Sequence, residues 1–85
     1  MSTSTLTAIA EIVSEISGVP AEDVQLGRKL SQDLGIDSLS MVEIAVALEE
    51  RFGIEVSDDQ IKDLVTVADA VVYVEARGGR IPADA

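Results

Sequence analysis

The stretch DLGIDSLSMVEIAVALEERFG, Asp33 to Gly53, predicts the central helix of the protein. Its apolar residues recur at helical spacing from about Ser38 to Phe52, and Gly53 stands where a left-handed backbone commonly ends a helix. On a helical wheel these residues cover roughly 220°, whereas a helix packed on one side of a core needs an apolar stripe of only about 100°. Two compatible interpretations follow: the helix is central in a small bundle, or part of it lines a cavity or forms a docking surface.

Acidic side chains border one edge of this apolar arc. The edge consists of Leu39, Val42 and Val46. Glu43 and Glu50 lie directly beside it, and Glu49 falls within the arc itself. Such carboxylates are usually a solvated surface, but next to exposed apolar residues they also predict an interface for basic protein partners.

The flanking segments predict three further helices. LTAIAEIVSEIS precedes Gly18, a short helix near Asp58–Leu64 follows the capping-box pattern of Ser57, and a last helix opens at Thr66 with a similar pattern. The connection 19–37 is long, and we expect its apolar residues to pin it to the core: Val24, Leu26, Leu30, Leu34 and Ile36. The predicted fold is an all-α four-helix bundle, with three long helices, a short third helix and a long first loop. We expect residues 1–85 to form one domain with a frayed tail at 78–85.

Composition excludes several classes of function. The 85 residues carry a formal net charge of −10, and aromatic residues make up only 2%. Such a surface repels nucleic acid and anionic lipid, and it lacks aromatic platforms for base stacking. The chain has neither cysteine nor histidine, which excludes a disulfide framework and thiolate or imidazole metal sites. Its longest apolar runs are five residues and MSTSTLT does not read as a signal peptide, so we expect no membrane insertion and a cytoplasmic location.

Ser38 stands at the start of the central helix without a residue that could activate it as a nucleophile. A catalytic serine needs a base, and the chain has no histidine, no Ser-x-x-Lys arrangement at Ser38 and no G-x-S-x-G pattern. The sequence therefore predicts that the protein is not an enzyme. Two interpretations of the site remain open: Ser38 or Asp37 caps the helix, or Ser38 carries a phosphate, which a helix N-terminus favours.

The segment LGIDSLSMVEIAVALEERFGIEVSDDQI closely resembles the acyl carrier proteins. Their hallmark is Asp-Ser-Leu at the start of the second helix, here Asp37-Ser38-Leu39, and the opening of the last helix, TVADA, also matches. The resemblance spans about Ile9 to Arg77. The phrase IDSLSMVEIAV is most similar to free-standing carriers of actinobacterial type II fatty-acid synthesis. A carrier for a polyketide or other secondary pathway is one alternative, and an unmodified acidic helical adaptor is another.

The resemblance implies a cofactor and a set of partners. Ser38 would be the attachment point of 4′-phosphopantetheine, whose thiol holds acyl groups as thioesters. A phosphopantetheinyl transferase would add this arm from coenzyme A. Synthase, reductase, dehydratase and transferase enzymes with basic patches would then dock on the monomeric carrier.

The resemblance also assigns two groups of residues by matching positions. The residues expected to recognise partners are Asp37, Leu39, Glu43, Glu49, Glu50 and Asp58. The residues expected to line an acyl cleft are Val42, Val46, Ile61 and Leu64. Leu39 would also lie near the arm.

Overall fold

The computed structural model describes residues 3–78 and contains four α-helices. These are α1 (Thr3–Ser17), α2 (Ser38–Phe52), α3 (Asp58–Ile61) and α4 (Val67–Ala76), with a 3-10 turn at Ala21–Asp23. Within this range the only β-type pairing is one isolated bridge, so the predicted all-α fold with a short third helix is confirmed. Except for Gly78, the predicted frayed tail lies outside the described residues.

The predicted start and end of α2 are confirmed, and α3 is shorter than predicted. Gly53 follows α2 in the left-handed conformation, with φ 68°, and donates its N–H to the Glu49 carbonyl at 2.8 Å. α3 ends at Ile61 rather than Leu64, because the chain continues in i→i+3 turns: the Leu64 N–H donates to the Ile61 carbonyl at 3.1 Å. These turns bring Leu64 into the core, where it is buried.

Capping boxes open α3 and α4, as the sequence predicts. The Ser57 hydroxyl accepts the Gln60 N–H, and the Gln60 side chain accepts the Ser57 N–H at 3.1 Å. Thr66 and Asp69 make the same reciprocal pair at α4. Each pair satisfies N–H groups that the first turn of a helix leaves without an intrahelical acceptor.

The core is aliphatic and lies between α1, α2 and α4. Its most deeply buried large side chains are Ile9, Val13, Leu30, Ile44, Leu48, Val67, Val71 and Val74. Phe52 is the one aromatic residue among the buried core side chains of residues 3–78. Because the sequence supplies only one Phe and one Tyr, this core is filled mainly by aliphatic side chains.

The long first loop is held by backbone as well as by side chains. Val24, Leu30 and Ile36 are buried, as predicted. The loop also pairs with the segment before α4, since the Leu30 N–H donates to the Val65 carbonyl at 2.9 Å and the Val67 N–H donates to the Arg28 carbonyl at 3.0 Å. This pairing was not predicted from the sequence. It holds in place the loop that leads to the start of α2.

Candidate functional site

The start of α2 presents Ser38 to solvent with an uncommitted hydroxyl. Asp37 is the helix N-cap: its Oδ1 accepts the Ser40 N–H at 2.8 Å, and its carbonyl accepts the Met41 N–H at 2.9 Å. Ser38 is therefore the first residue of the helix proper, and its hydroxyl makes no hydrogen bond within residues 3–78. Of the two candidate caps, Asp37 fills this role, which leaves the serine hydroxyl available for modification.

The Asp37 carboxylate is held in its charged form. The hydrogen bond from the Ser40 backbone N–H, reinforced by the Ser40 side chain, keeps the pKa of this carboxyl below its ordinary value. At neutral pH a full negative charge therefore stands one residue before the Ser38 hydroxyl. The same charge is favourable for the helix, because it faces the positive end of the α2 dipole.

A groove of about 560 Å³ opens beside Ser38, between α2, α3 and the end of the first loop. Its apolar lining consists of Ile36, Met41, Val42, Ile61, Leu64 and Val65. Ser38 lies on its polar rim together with Lys29, Asp58 and Lys62. The structure thus brings three of the four predicted cleft residues together at the serine. The fourth, Val46, lies outside this lining.

The wide apolar arc of α2 divides into a buried part and an exposed edge. The buried residues are Met41, Ile44, Ala45, Leu48 and Phe52. The exposed edge consists of Leu39, Val42 and Val46, which are 70%, 45% and 47% exposed. Glu43 and Glu50 are also exposed. The bundle core accounts for the first part of the arc, and a role of the second part in a cavity or a docking surface stays a prediction.

Glu49 has a different environment from the other predicted partner residues. It is half-buried, and its Oε2 accepts the Val56 N–H at 2.8 Å, which ties the segment after α2 back to the helix. Its carboxylate is thereby engaged inside the domain, although recognition of a partner by Glu49 stays a prediction. Asp58, in contrast, is exposed at the first position of α3, on the rim of the groove.

A hydrogen-bond network around Tyr73 supports the α3 wall of the groove. The Tyr73 hydroxyl donates to the Glu55 carbonyl at 2.7 Å and also contacts Oε1 of Gln60, the residue that completes the α3 capping box. The Arg77 guanidinium stacks 3.7 Å from the centre of the Tyr73 ring. This network was not predicted from the sequence. Its only signal was a lone tyrosine in α4, whose distance in sequence from Gln60 says nothing about contact.

Neither a metal centre nor a membrane span is found in the described part of the chain. Among residues 3–78, no cluster of three or more carboxylate, histidine or cysteine residues is placed to hold a metal ion. No helix in that range is both long enough and apolar enough to cross a bilayer.

Comparison with known proteins identifies the class to which this site belongs. Residues 7–74 match the family described as the phosphopantetheine attachment site, and the chain belongs to that family. Its relatives include the acyl carrier protein of Thermobifida fusca, 54% identical over 70 residues that cover 82% of this chain and 89% of the relative. The acyl carrier protein of Acidothermus cellulolyticus is 52% identical over 69 residues, covering 81% and 82% of the two chains. The predicted family and its phosphopantetheine cofactor are thereby confirmed.

Solved structures that share the fold include two acyl carrier proteins. The acyl carrier protein of Enterococcus faecalis has a TM-score of 0.74 and 32% identity, covering 87% of this chain and 94% of that one. The apo doublet acyl carrier protein from prodigiosin biosynthesis has a TM-score of 0.81 and 25% identity, covering 93% of this chain and 38% of that one. The helical bundle predicted from the sequence is therefore the fold of acyl carrier proteins.

Proposed function

We propose that this protein is an acyl carrier of fatty-acid synthesis, with a 4′-phosphopantetheine arm on Ser38. The observation that carries the proposal is the exposed, uncommitted Ser38 hydroxyl at the first position of α2, on the rim of an apolar groove. Asp37 makes the helix cap, so modification of Ser38 leaves the helix start intact. The residues present therefore fit the group that the family carries.

Loading of Ser38 is a phosphoryl transfer that another enzyme performs. The Ser38 oxygen attacks the phosphorus next to the pantetheine portion of coenzyme A, which forms a phosphodiester and breaks the pyrophosphate linkage. Adenosine 3′,5′-bisphosphate leaves, and the serine proton passes to a base of the phosphopantetheinyl transferase. No histidine is present in this chain to take that proton, which supports a role as carrier rather than enzyme. When bound, the arm supplies the thiol on which acyl groups are held as thioesters.

The apolar lining of the groove would shield the acyl chain from water. Its volume of about 560 Å³ is in the range of pockets that bind small apolar ligands. Val42, Ile61 and Leu64 would contact the chain within it, and burial of each methylene would contribute about 0.8 kcal/mol. Val46 would contact only a chain that runs further along α2.

Partner enzymes would dock on the exposed edge of α2. Leu39 supplies apolar contact there, while Glu43 and Glu50 supply negative charge beside it. A partner with an apolar patch ringed by Arg and Lys would match this surface, and its encounter would be steered by charge. The predicted partners are the transferase and the synthase, reductase and dehydratase enzymes. The monomeric state and the cytoplasmic location remain predictions.

The choice of pathway depends on more than the fold. A carrier from prodigiosin biosynthesis shares the fold of this chain, so the fold alone does not separate the pathways, and a secondary pathway is the alternative to fatty-acid synthesis. Reconstitution decides between them: the loaded, malonylated protein should support chain elongation with fatty-acid synthase enzymes. If it accepts the arm but none of these enzymes extends a chain on it, the fatty-acid assignment is wrong and the carrier assignment stands.

Intact mass spectrometry tests the attachment site. After incubation with a phosphopantetheinyl transferase and coenzyme A, the wild type should gain one phosphopantetheine and Ser38→Ala should gain none. Ser40→Ala is the matched control, because it removes the neighbouring serine hydroxyl, two residues along α2. Alanine keeps the backbone N–H that donates to the Asp37 cap and loses only the side-chain hydrogen bond to Asp37. Loading of Ser38→Ala would refute the site. An unmodified wild type, with a transferase proven active on another carrier, would favour the unmodified adaptor.

A further inference from the structure

The only two lysines of the chain both line the groove that holds Ser38. Lys29 belongs to the first loop and Lys62 directly follows α3, so two separate segments place them at the same groove. Both residues are exposed. In a chain with 16 acidic and 6 basic residues, this convergence puts two of the few cations at the groove that Ser38 also lines.

Within residues 3–78, neither lysine forms an ion pair. The single ion pair found among residues 3–78 joins Arg51 to Glu11, at 3.0 Å, away from the groove. Asp33 lies near Lys29, but its carboxylate accepts the Lys29 backbone N–H at 2.9 Å. Asp58 lines the same groove as Lys62 without an ion pair between them. Both ammonium groups are therefore available to a further anion.

A phosphodiester on Ser38 would be stabilised by such cations. It would add a negative charge to a protein of net charge −10, one residue from the ionised Asp37 and on the same rim as Asp58. Like charges at this spacing repel, whereas an ammonium group offers three N–H donors and a compact positive charge to phosphate oxygens. The apolar lining of the groove can also hold the methylene stems of the lysines while their charged ends stay in water.

We propose that Lys29 and Lys62 bind the phosphodiester of the arm on Ser38 and so hold the start of the arm at the mouth of the apolar groove. This inference rests on the proposed function. It assigns the two lysines a role in positioning the arm, separate from the acidic surface of α2. Loading of Ser38 should therefore lower the stability of the wild type less than that of a protein without these cations.

The test compares melting temperatures of the unloaded and loaded protein at low salt. The variant is Lys29→Gln/Lys62→Gln, and the matched control is Arg28→Gln/Arg77→Gln, which removes the same charge from exposed positions outside the groove. Loading should lower the melting temperature of the lysine variant by roughly 1–8 °C more than that of the wild type or the control. The difference should shrink at high salt, and the ³¹P shift of the phosphodiester should change in the lysine variant alone.

Three outcomes would overturn the proposal. The first is that loading changes the melting temperature equally in the wild type, the lysine variant and the arginine control, and that the ³¹P shift is unchanged. The second is that loading lowers the melting temperature of the lysine variant and of the arginine control by the same amount, which would reflect net charge only. The third is a folded lysine variant that the transferase cannot load, because the lysines would then act in recognition of the transferase. If the wild type itself fails to load, the proposed function fails instead.

Discussion

Replacing Tyr73 by phenylalanine should loosen α3 more than any other helix. α3 has four residues, and an isolated helix shorter than about 12–15 residues is marginal in water, so tertiary contacts must hold it. The Tyr73 hydroxyl supplies one such contact, through the Glu55 carbonyl and Gln60. Phenylalanine keeps the half-buried ring and removes only the hydroxyl.

The size of the effect follows from the hydrogen bond that is lost. A hydroxyl has one proton and donates to one acceptor at a time, and such a bond contributes about 0.5–1.5 kcal/mol net. Glu55 is exposed, so water can replace the lost donor, which favours the lower part of this range, about 0.5–1 kcal/mol. For a domain of this size, we expect the melting temperature to fall by roughly 2–8 °C.

Native-state hydrogen exchange locates the effect. The amide of Ile61 donates to the Ser57 carbonyl, and the amide of Leu64 donates to the Ile61 carbonyl. Relative to the wild type, Tyr73→Phe should accelerate hydrogen exchange of these two amides more than that of the α2 amides. Arg77→Gln is the matched control, because it removes the cation over the ring and keeps the hydroxyl. Equal acceleration in α2 and α3, or unchanged exchange in α3, would refute the view that the hydroxyl supports this wall of the groove.

Three further predictions concern α2. Charge reversal by Glu43→Lys or Glu50→Lys should slow association with a basic partner enzyme, and the loss should shrink at high salt; unchanged rates in stopped-flow binding would make these carboxylates a solvated surface only. Val42→Ala should weaken binding of the partner, or burial of the acyl chain in the groove, with little dependence on salt. A strong salt dependence would contradict an apolar contact. The pKa of Asp37 is lower in the folded protein than in the unfolded chain, where it is about 3.9. The charged Asp37 carboxylate therefore stabilises the fold above the unfolded pKa, and this stabilisation is lost as the pH falls through the folded pKa. Asp37→Asn keeps a side-chain oxygen that can accept the Ser40 N–H but removes the charge, so it should flatten the acid side of the melting profile. A profile identical to that of the wild type would refute the contribution of the Asp37 charge.

The helices and the serine could be predicted from local sequence. Apolar periodicity, capping residues and a following glycine all act within a few residues of the element they define, and they placed α2 at Ser38–Phe52 correctly. The motif Asp37-Ser38-Leu39 is equally local, so the candidate site was visible in the sequence. The end of α3 was predicted wrongly because Leu64 is apolar and in helical phase, yet reaches the core through a turn.

Only the tertiary structure decided how the surroundings of the serine are assembled. Lys29, Ser38 and Lys62 come from three segments, and their meeting at one groove depends on backbone pairing of the first loop with the segment before α4. The exposure of Leu39, in contrast to the burial of Met41 and Ile44 in the same helix, depends equally on which faces of α2 the other helices cover. Residues far apart in the chain meet only when the core that links them has formed, and no spacing within the sequence encodes that distance.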